Sequence, residues 1–377
     1  MKLTCLQENL NKGLGIVGRA VATRSTLPIT QNILLVAEPS RLKLSATNLE
    51  IATTSWVGAN VEEEGSITAP ARLLMDFVNS LPNDLIEVTL PVNGHTIELK
   101  SGRFQAHING IDAQDFPPIP QISEGIATSI EAASLREGIR QVTFAATTEE
   151  SRPVLTGTNA ELEGKELKLV ATDGFRLAVH KTTLISPVAE PTTLIIPART
   201  LNELSRLLGD QEEPVEITMN RQKSQILFHL KSAEIVSQLI PGSFPNYSQI
   251  IPQSYTTRAV LDTEKFLQVI RISSIFARDA SGIVRLIITP GSELGRGKIT
   301  VSAQAEEIGG NVSEIDALID GEEAKIAFNS KYLSDVLAVI PQAQVALEVT
   351  TPSSPGVIRP IGVDNYVHVI MPMFVQW

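Results

Sequence analysis

The chain of 377 residues carries a single cysteine, Cys5. One thiol can build neither a disulfide framework nor a metal site of several thiolates. Aromatic residues are only 5% of the chain, with 2 Trp and 4 Tyr, so any core must be made of aliphatic side chains. No apolar run approaches the ~20 residues that a bilayer-spanning helix needs. Met1-Lys2-Leu3-Thr4 also lacks a signal peptide's basic start and apolar stretch, so a cytoplasmic protein with no membrane partner is expected. Basic charge is short as well: 31 Lys and Arg against 42 Asp and Glu leave a net charge of −11. Phosphate neutralisation by a basic patch supplies much of ordinary nucleic-acid affinity, so tight binding of DNA by charge is disfavoured. A protein that surrounds DNA, needing only a mildly positive inner face, stays open. His95, His107, His180, His229 and His368 are scattered without metal-ligand spacing. No Gly-x-Ser-x-Gly elbow, Walker loop or dinucleotide fingerprint occurs. The expectation is a non-enzyme with no catalytic residue, no metal and no cofactor.

What the chain does have is repetition. Leu42-Lys43-Leu44-Ser45-Ala46-Thr47-Asn48 returns as Leu167-Lys168-Leu169-Val170-Ala171-Thr172-Asp173, and more loosely as Ile299-Thr300-Val301-Ser302-Ala303-Gln304. Ala69-Pro70-Ala71-Arg72-Leu73-Leu74 becomes Ile196-Pro197-Ala198-Arg199-Thr200-Leu201 and then Phe328-Asn329-Ser330-Lys331-Tyr332-Leu333. Two independent landmarks keep their order and a spacing of about 125 to 132 residues, a period that means domains rather than solenoid repeats. Three domains are expected, at 1–122, 127–253 and 254–377. Each is long enough to bury its own core.

Within each repeat the hydrophobic period switches between helix and strand. Amphipathic helices are expected at 6–22, 132–146 and 262–277, the last with Thr263 as its N-cap. Shorter helices follow at 72–80, 199–208 and 330–339, each closed by a turn signal such as Leu81-Pro82 or Ile340-Pro341. Alternating strands fill the remainder, for example 32–37, 41–46, 85–90, 215–219 and 345–350. Two helices packed on mostly antiparallel sheet in each repeat make an α+β protein. Phe116-Pro117 and Phe244-Pro245 mark joints between repeats, where proline stiffens the chain.

Five segments in register carry a family resemblance. They are Ala171-Thr172-Asp173-Gly174-Phe175-Arg176-Leu177-Ala178, Phe244-Pro245-Asn246-Tyr247, Phe328-Asn329-Ser330-Lys331-Tyr332-Leu333, Thr351-Pro352-Ser353-Ser354-Pro355 and Met371-Pro372-Met373. Over essentially its whole length the chain resembles the bacterial DNA polymerase III beta subunit, the sliding-clamp family. The resemblance implies the DNA clamp fold: a head-to-tail homodimer forming a closed ring that encircles double-stranded DNA without reading sequence. The ring would tether the replicative polymerase, and a peptide pocket would also serve the clamp loader and repair proteins.

Carried over position by position, that pocket comprises Leu155, Thr172, Gly174, Arg176, Leu177, Pro245, Ile250, Ser354, Ile370, Met371, Pro372 and Met373, with Asn329 and Tyr332 on its rim. The plainer alternatives are a hairpin with a solvated Arg176 and a last edge strand packed on core. Phe175, Gln249 and the tail Phe374-Val375-Gln376-Trp377 depart from the family pattern and bear on peptide preference. Arg24, Arg72, Arg152 and Arg199 lie on or beside the repeated helices. In a ring they would meet phosphates; taken singly they read as solvated surface arginines. Glu149 and Glu150 would repel phosphate beside Arg152. Arg103, Phe104 and Ala106 sit in a segment that alternates like an edge strand. The resemblance pairs it with the partner copy near Ile275 and Phe276. The other readings are a three-repeat scaffold that never closes round DNA, and a hydrolase built on Asp173.

Overall fold

In each repeat one strand enters a helix, a run of strands leads to a second helix, and three strands close the unit. The computed structural model describes all residues except 24–25, 93, 210, 279–280, 292–296 and 306–308. The first repeat contains β1 (Lys2–Leu6), α1 (Gln7–Val17), β2 (Asn32–Glu38), β3 (Arg41–Thr47), β4 (Ile51–Gly58), β5 (Asn60–Glu63), β6 (Gly65–Pro70), α2 (Ala71–Ser80), β7 (Leu85–Thr89), β8 (Thr96–Ser101) and β9 (Phe104–Asn109). The second contains β10 (Gly125–Ile130), α3 (Ala132–Val142), β11 (Gly157–Glu163), β12 (Glu166–Thr172), β13 (Arg176–Thr183), β14 (Thr192–Pro197), α4 (Ala198–Leu208), β15 (Val215–Asn220), β16 (Gln225–His229) and β17 (Ala233–Gln238). The third contains β18 (Thr257–Asp262), α5 (Thr263–Arg278), β19 (Ile283–Thr289), β20 (Gly297–Ala305), β21 (Gly309–Gly321), β22 (Ala324–Asn329), α6 (Ser330–Leu337), β23 (Gln344–Val349), β24 (Gly356–Pro360) and β25 (Tyr366–Ile370). The fold is α+β, with six helices on antiparallel sheet.

Two helices are shorter than the periodicity suggests. The first gives way to a 3-10 turn at Gly18–Ala20 and the third to one at Thr143–Ala145, tightening a last turn whose carbonyls lack helical partners. The cap of α5 also differs from expectation. Asp262 Oδ1 accepts from the Lys265 backbone N–H at 2.9 Å, so Asp262 is the N-cap, and the Thr263 hydroxyl is buried without a partner. A carboxylate there also suits the positive end of the helix dipole.

Compactness groups the chain differently from its repeats. One unit gathers Met1–Ala133, Leu184–Ala189 and Glu203–Leu239; the other gathers Ser134–Thr183, Glu190–Asn202 and Ile240–Trp377. The first unit holds a five-stranded sheet, β5-β1-β7-β8-β9, and an eight-stranded one, β10-β15-β16-β17-β4-β3-β2-β6. The second holds a twelve-stranded sheet, β14-β11-β12-β13-β25-β24-β23-β18-β21-β20-β19-β22. Consecutive repeats are therefore joined by strand pairing inside a unit. β17 pairs with β4 in the first, and β25 with β13 in the second, both antiparallel.

The helices bury the stripes expected of them. On α1, Leu10, Leu14 and Val17 are buried against Ile33, Leu42, Leu44 and Val88 in one aliphatic cluster. Each such side chain contributes roughly 1.5–3 kcal/mol on burial. Gly13 permits the approach: a Cβ there would stand 2.6 Å from Val57 Cγ2. In the second unit α5 lies on β20 and β21 and buries Phe266, Ile270 and Ala277.

Candidate functional site

The loop between β12 and β13 folds on its own side chains. Thr172 Oγ1 donates to the Arg176 carbonyl at 2.6 Å and accepts from the Gly174 N–H at 3.0 Å. Asp173 Oδ1 accepts from the N–H groups of Phe175 and Arg176 at 2.9 and 3.0 Å. These short-range bonds are what Thr and Asp offer a turn. Gly174 takes φ +91°, a region glycine enters without a Cβ penalty. The turn exposes Phe175 and draws Arg176 inward.

Arg176 is 8% exposed, so the solvated alternative is excluded. Its Nε donates to Asp173 Oδ2 at 3.0 Å, Nη1 to Asp335 Oδ2 at 2.7 Å and Nη2 to the Phe144 carbonyl at 2.7 Å. The guanidinium also lies 4.4 Å from the Tyr332 ring centroid and 5.3 Å from that of Phe144. Phe144 in turn stacks on His368 at 5.4 Å, and His368 on Tyr366. Burial, followed by the Arg176 charge, lowers the His368 pKa to about 3, and burial lowers that of His180 to about 4. Both rings are therefore neutral at physiological pH. Burial, then the charge of Asp173, raises the pKa of Tyr332. Arg176 is thus a fixed pillar whose charge is largely satisfied from within.

The remaining wall comes from the end of the chain. β25 pairs with β13 so that Ile370 faces Arg176 and Val369 faces Leu177. The Met371 N–H then donates to the Phe175 carbonyl at 2.8 Å, and the Met373 N–H to Ala327 at 2.8 Å. Leu177, Val170, Val357 and Val369 form a buried apolar floor against which Phe244, Tyr247 and Ile251 pack. Leu155 and Ile370 are also buried, whereas Phe175, Ile250 and Met371 are exposed. A Cβ on Gly242 would lie 2.9 Å from Val154, which puts the loop before Pro245 beside the segment holding Leu155. Ser354 closes a small turn, its N–H donating to the Thr351 carbonyl, two residues before Gly356 pairs with Ile370. Asn329 Oδ1 caps α6 at the Lys331 N–H, and Tyr332 supports Arg176. An open cavity of about 460 Å³ borders the ridge at Pro245, lined by Asn159, Glu161, Lys168, Phe244 and Tyr247 among others. The arrangement is an apolar floor with exposed apolar rims, and its charged groups Arg176, Asp173 and Asp335 are paired with one another, which suits a peptide rather than a reaction.

Several residues here left no trace in the sequence pattern. Phe144, Asp335, Tyr366 and His368 gather round Arg176 from three separate elements. Only Asp335, four residues after Lys331 and ion-paired with it at 2.7 Å, carries a local signal.

The arginines are in differing situations. Arg24 lies outside the described residues. Arg72 and Arg199 are each the second residue of their helix, α2 and α4, and both are exposed. Lys331 holds the same place in α6. Arg72 lies 3.9 Å from Asp76 with its side chain 97% exposed. Arg152 is tied instead to the turn: Nη1 donates to the Asp173 carbonyl at 3.0 Å and Nη2 to Glu149 at 2.6 Å. Glu149 thus holds Arg152 rather than standing clear of it.

Phe104 and Ala106 lie in β9, the outer strand of the five-stranded sheet, with Phe104 54% exposed, and Arg103 is in the turn just before it. On α5, Ile275 is exposed and Phe276 half-buried. Ser273, on the same helix, bonds Asn311 of β21 at 2.7 Å. Among the described residues no His, Cys, Asp and Glu cluster suits a metal ion, and no helix is long and apolar enough to cross a membrane.

Family models match in series along the chain. Residues 1–120 match the DNA polymerase III beta subunit N-terminal domain, 129–246 the central domain and 248–374 the C-terminal domain. A beta sliding clamp of Bacillus subtilis is 33% identical over 383 residues, covering 99% of both chains. One from Synechococcus elongatus is 32% identical over 378 residues with the same coverage. The crystal structure of the DNA polymerase sliding clamp from Bacillus subtilis superposes with a TM-score of 0.93 at 32% identity, covering 100% of each chain. That of the Pseudomonas aeruginosa DNA polymerase III subunit beta gives 0.90 at 30% identity, again covering 100% of each.

Proposed function

This chain belongs to the DNA polymerase III beta subunit family, the sliding clamps, which are processivity factors and not catalysts, and on that premise we propose that two copies close head to tail into a ring round duplex DNA. The ring holds DNA topologically and tethers the replicative polymerase, the clamp loader and repair proteins in the bacterial cytoplasm. Partners dock by short peptides in the groove above Leu177, between Phe175, Ile250 and Met371. Tethering raises the effective concentration of polymerase at the primer end without any new polymerase–DNA contact.

One observation carries this reading. The last strand of the second repeat pairs with the third long strand of the first, Ser237 facing Ile51. The last strand of the third repeat pairs likewise with the second, Ile370 facing Arg176. The pattern leaves two edges over, that of β9 and that of β21 at Gly309 to Ser313, with no partner strand among the described residues. A second copy supplies what each lacks. Under this reading, with the register of the two internal junctions, Ile108 would lie opposite the partner's Gly309, Ala106 opposite the partner's Asn311 and Phe104 opposite the partner's Ser313. Different surfaces meet in such a contact, and it ends in a ring only if the rotation closes. Ile275 and Phe276, one turn along α5 from the residue bonded to Asn311, flank that edge.

Arg72 and Arg199, with Arg24 and Arg152, would provide sparse, sequence-independent phosphate contacts. Arg152, already held by Glu149 and Asp173, is the weakest of them. The decisive experiment loads the protein on circular DNA with a clamp loader and then linearises the circle. Retention on the circle and loss from free ends are expected. Equal retention on both forms would mean ordinary affinity binding and would overturn the ring.

A further inference from the structure

The docking turn at Thr172 has a twin in the first unit. Thr47 Oγ1 donates to the Ile51 carbonyl at 2.9 Å and accepts from the Leu49 N–H at 3.0 Å. Asn48 Oδ1 accepts from the N–H groups of Glu50 and Ile51 at 3.0 and 2.8 Å. The Gln238 N–H donates to the Glu50 carbonyl at 2.9 Å, as Met371 does to Phe175. A cavity of about 80 Å³ opens over this turn, between Leu49, Glu50 and Ala52 on one side and the joint prolines, Pro117 among them, on the other. Those prolines are the counterpart of Pro245, which flanks the other groove. The twin reproduces the backbone and the walls of the peptide groove in miniature.

Two features separate it from a vestige. Leu49 takes φ +77°, a region that bulky residues rarely enter and that favours glycine, and its side chain is 54% exposed. A strained, exposed leucine stands at the mouth of the cavity, where Gly174 fills the same place in the other turn. The charge is also reversed. Phe175 and Arg176 are replaced by an exposed Glu50 and a buried Ile51, and among the described residues no lysine or arginine lines the cavity.

We propose that this cavity is a second peptide-docking site, which takes an extended segment bearing one bulky apolar side chain beside a lysine or arginine. The apolar side chain enters between Leu49 and the prolines, and the cation pairs with Glu50. The inference rests on the reading of the Arg176 groove as a peptide site, whose architecture it shares. The small volume admits a single side chain, so affinity would be modest, and the site serves as an auxiliary contact for partners already held elsewhere.

The test is fluorescence anisotropy on the full-length protein with two labelled probes. One is a decapeptide in which a Leu-Phe pair is flanked by lysines; the other has those lysines replaced by glutamates. The lysine probe should bind more tightly, in two phases: Phe175→Asp removes the phase that belongs to the first groove and leaves a second phase, which Glu50→Lys weakens about five- to tenfold, with Glu50→Gln intermediate. Both positions are exposed, and matching thermal melts would verify folding. Lysine-probe binding that ignores Glu50→Lys, or that Phe175→Asp abolishes, overturns the second site while leaving the first groove standing. Indifference of both probes to every variant, together with equal retention on circular and linear DNA, would overturn both readings.

Discussion

The turns at Thr172 and Thr47 share their backbone hydrogen bonds one for one, yet one is organised round a buried guanidinium and the other round an isoleucine. The backbone bonds come from a threonine and an acid or amide placed next to each other, so they follow the repeated sequence. What differs is the residue three after that acid or amide. Arg176 gathers Asp173, Asp335, Tyr332 and Phe144, whereas Ile51 makes plain aliphatic core. The same local fold can thus be a strongly held rim or a small strained pocket, depending on one side chain.

The comparison breaks most sharply at its centre. Arg176→Ala leaves two carboxylates without their shared cation, and breaking a buried pair costs about 3–5 kcal/mol. Ile51→Val at the twin position should cost only about 0.5–1.5 kcal/mol. Urea unfolding of both variants measures the difference, and equal losses would mean that Arg176 is not a pillar. The capping residues come next. Asp173→Ala removes the acceptor of two backbone N–H groups together with the Arg176 bond, an expected loss of about 2–4 kcal/mol, against about 1–2 kcal/mol for Asn48→Ala.

Acid should sharpen the contrast further, because only the Arg176 side carries buried neutral histidines. Their folded pKa values, about 3 for His368 and about 4 for His180, lie below the unfolded value near 6.5. The unfolded chain therefore binds more protons in that window. Stability is fully present above pH ~6.5 and falls as pH drops towards 4 and then 3, by up to about 1.4 kcal/mol per pH unit for each ring. His368→Phe and His180→Phe should flatten that part of the stability–pH profile, and an unchanged slope would contradict the assignment. The smallest effect concerns φ. Leu49→Gly relieves strain and should raise stability by up to about 1 kcal/mol, whereas Gly174→Ala should cost about 1 kcal/mol. Thermal melts of the pair would show the opposite signs.

Much of this was legible beforehand in particular residues. The recurrence of Thr47-Asn48 as Thr172-Asp173 marked equivalent places in two repeats, and Arg72 and Arg199 marked equivalent helix starts. The helix ends at Val17 and Val142 were not legible, because a final 3-10 turn keeps the same apolar spacing. Neither was the cap of α5, where Asp262 and Thr263 are both able caps and geometry chose between them. Arg176 read equally well as a solvated hairpin residue. Its partners Phe144, Asp335 and His368 come from distant segments with no shared period.

By itself the sequence determined the threefold repeat, the α+β character and the membership of the sliding-clamp family. Periodicity and short motifs are local, and each repeat obeys the same local rules. Only the tertiary structure decided that Arg176 is buried, that Arg152 is bound to the turn at Asp173, and that β9 and residues 309–313 of β21 have an edge with no partner strand among the described residues. Those outcomes depend on strand pairing between segments more than a hundred residues apart, such as Ser237 with Ile51 and Ile370 with Arg176. A register of that kind is settled by which faces can be buried together, which no stretch of local sequence contains.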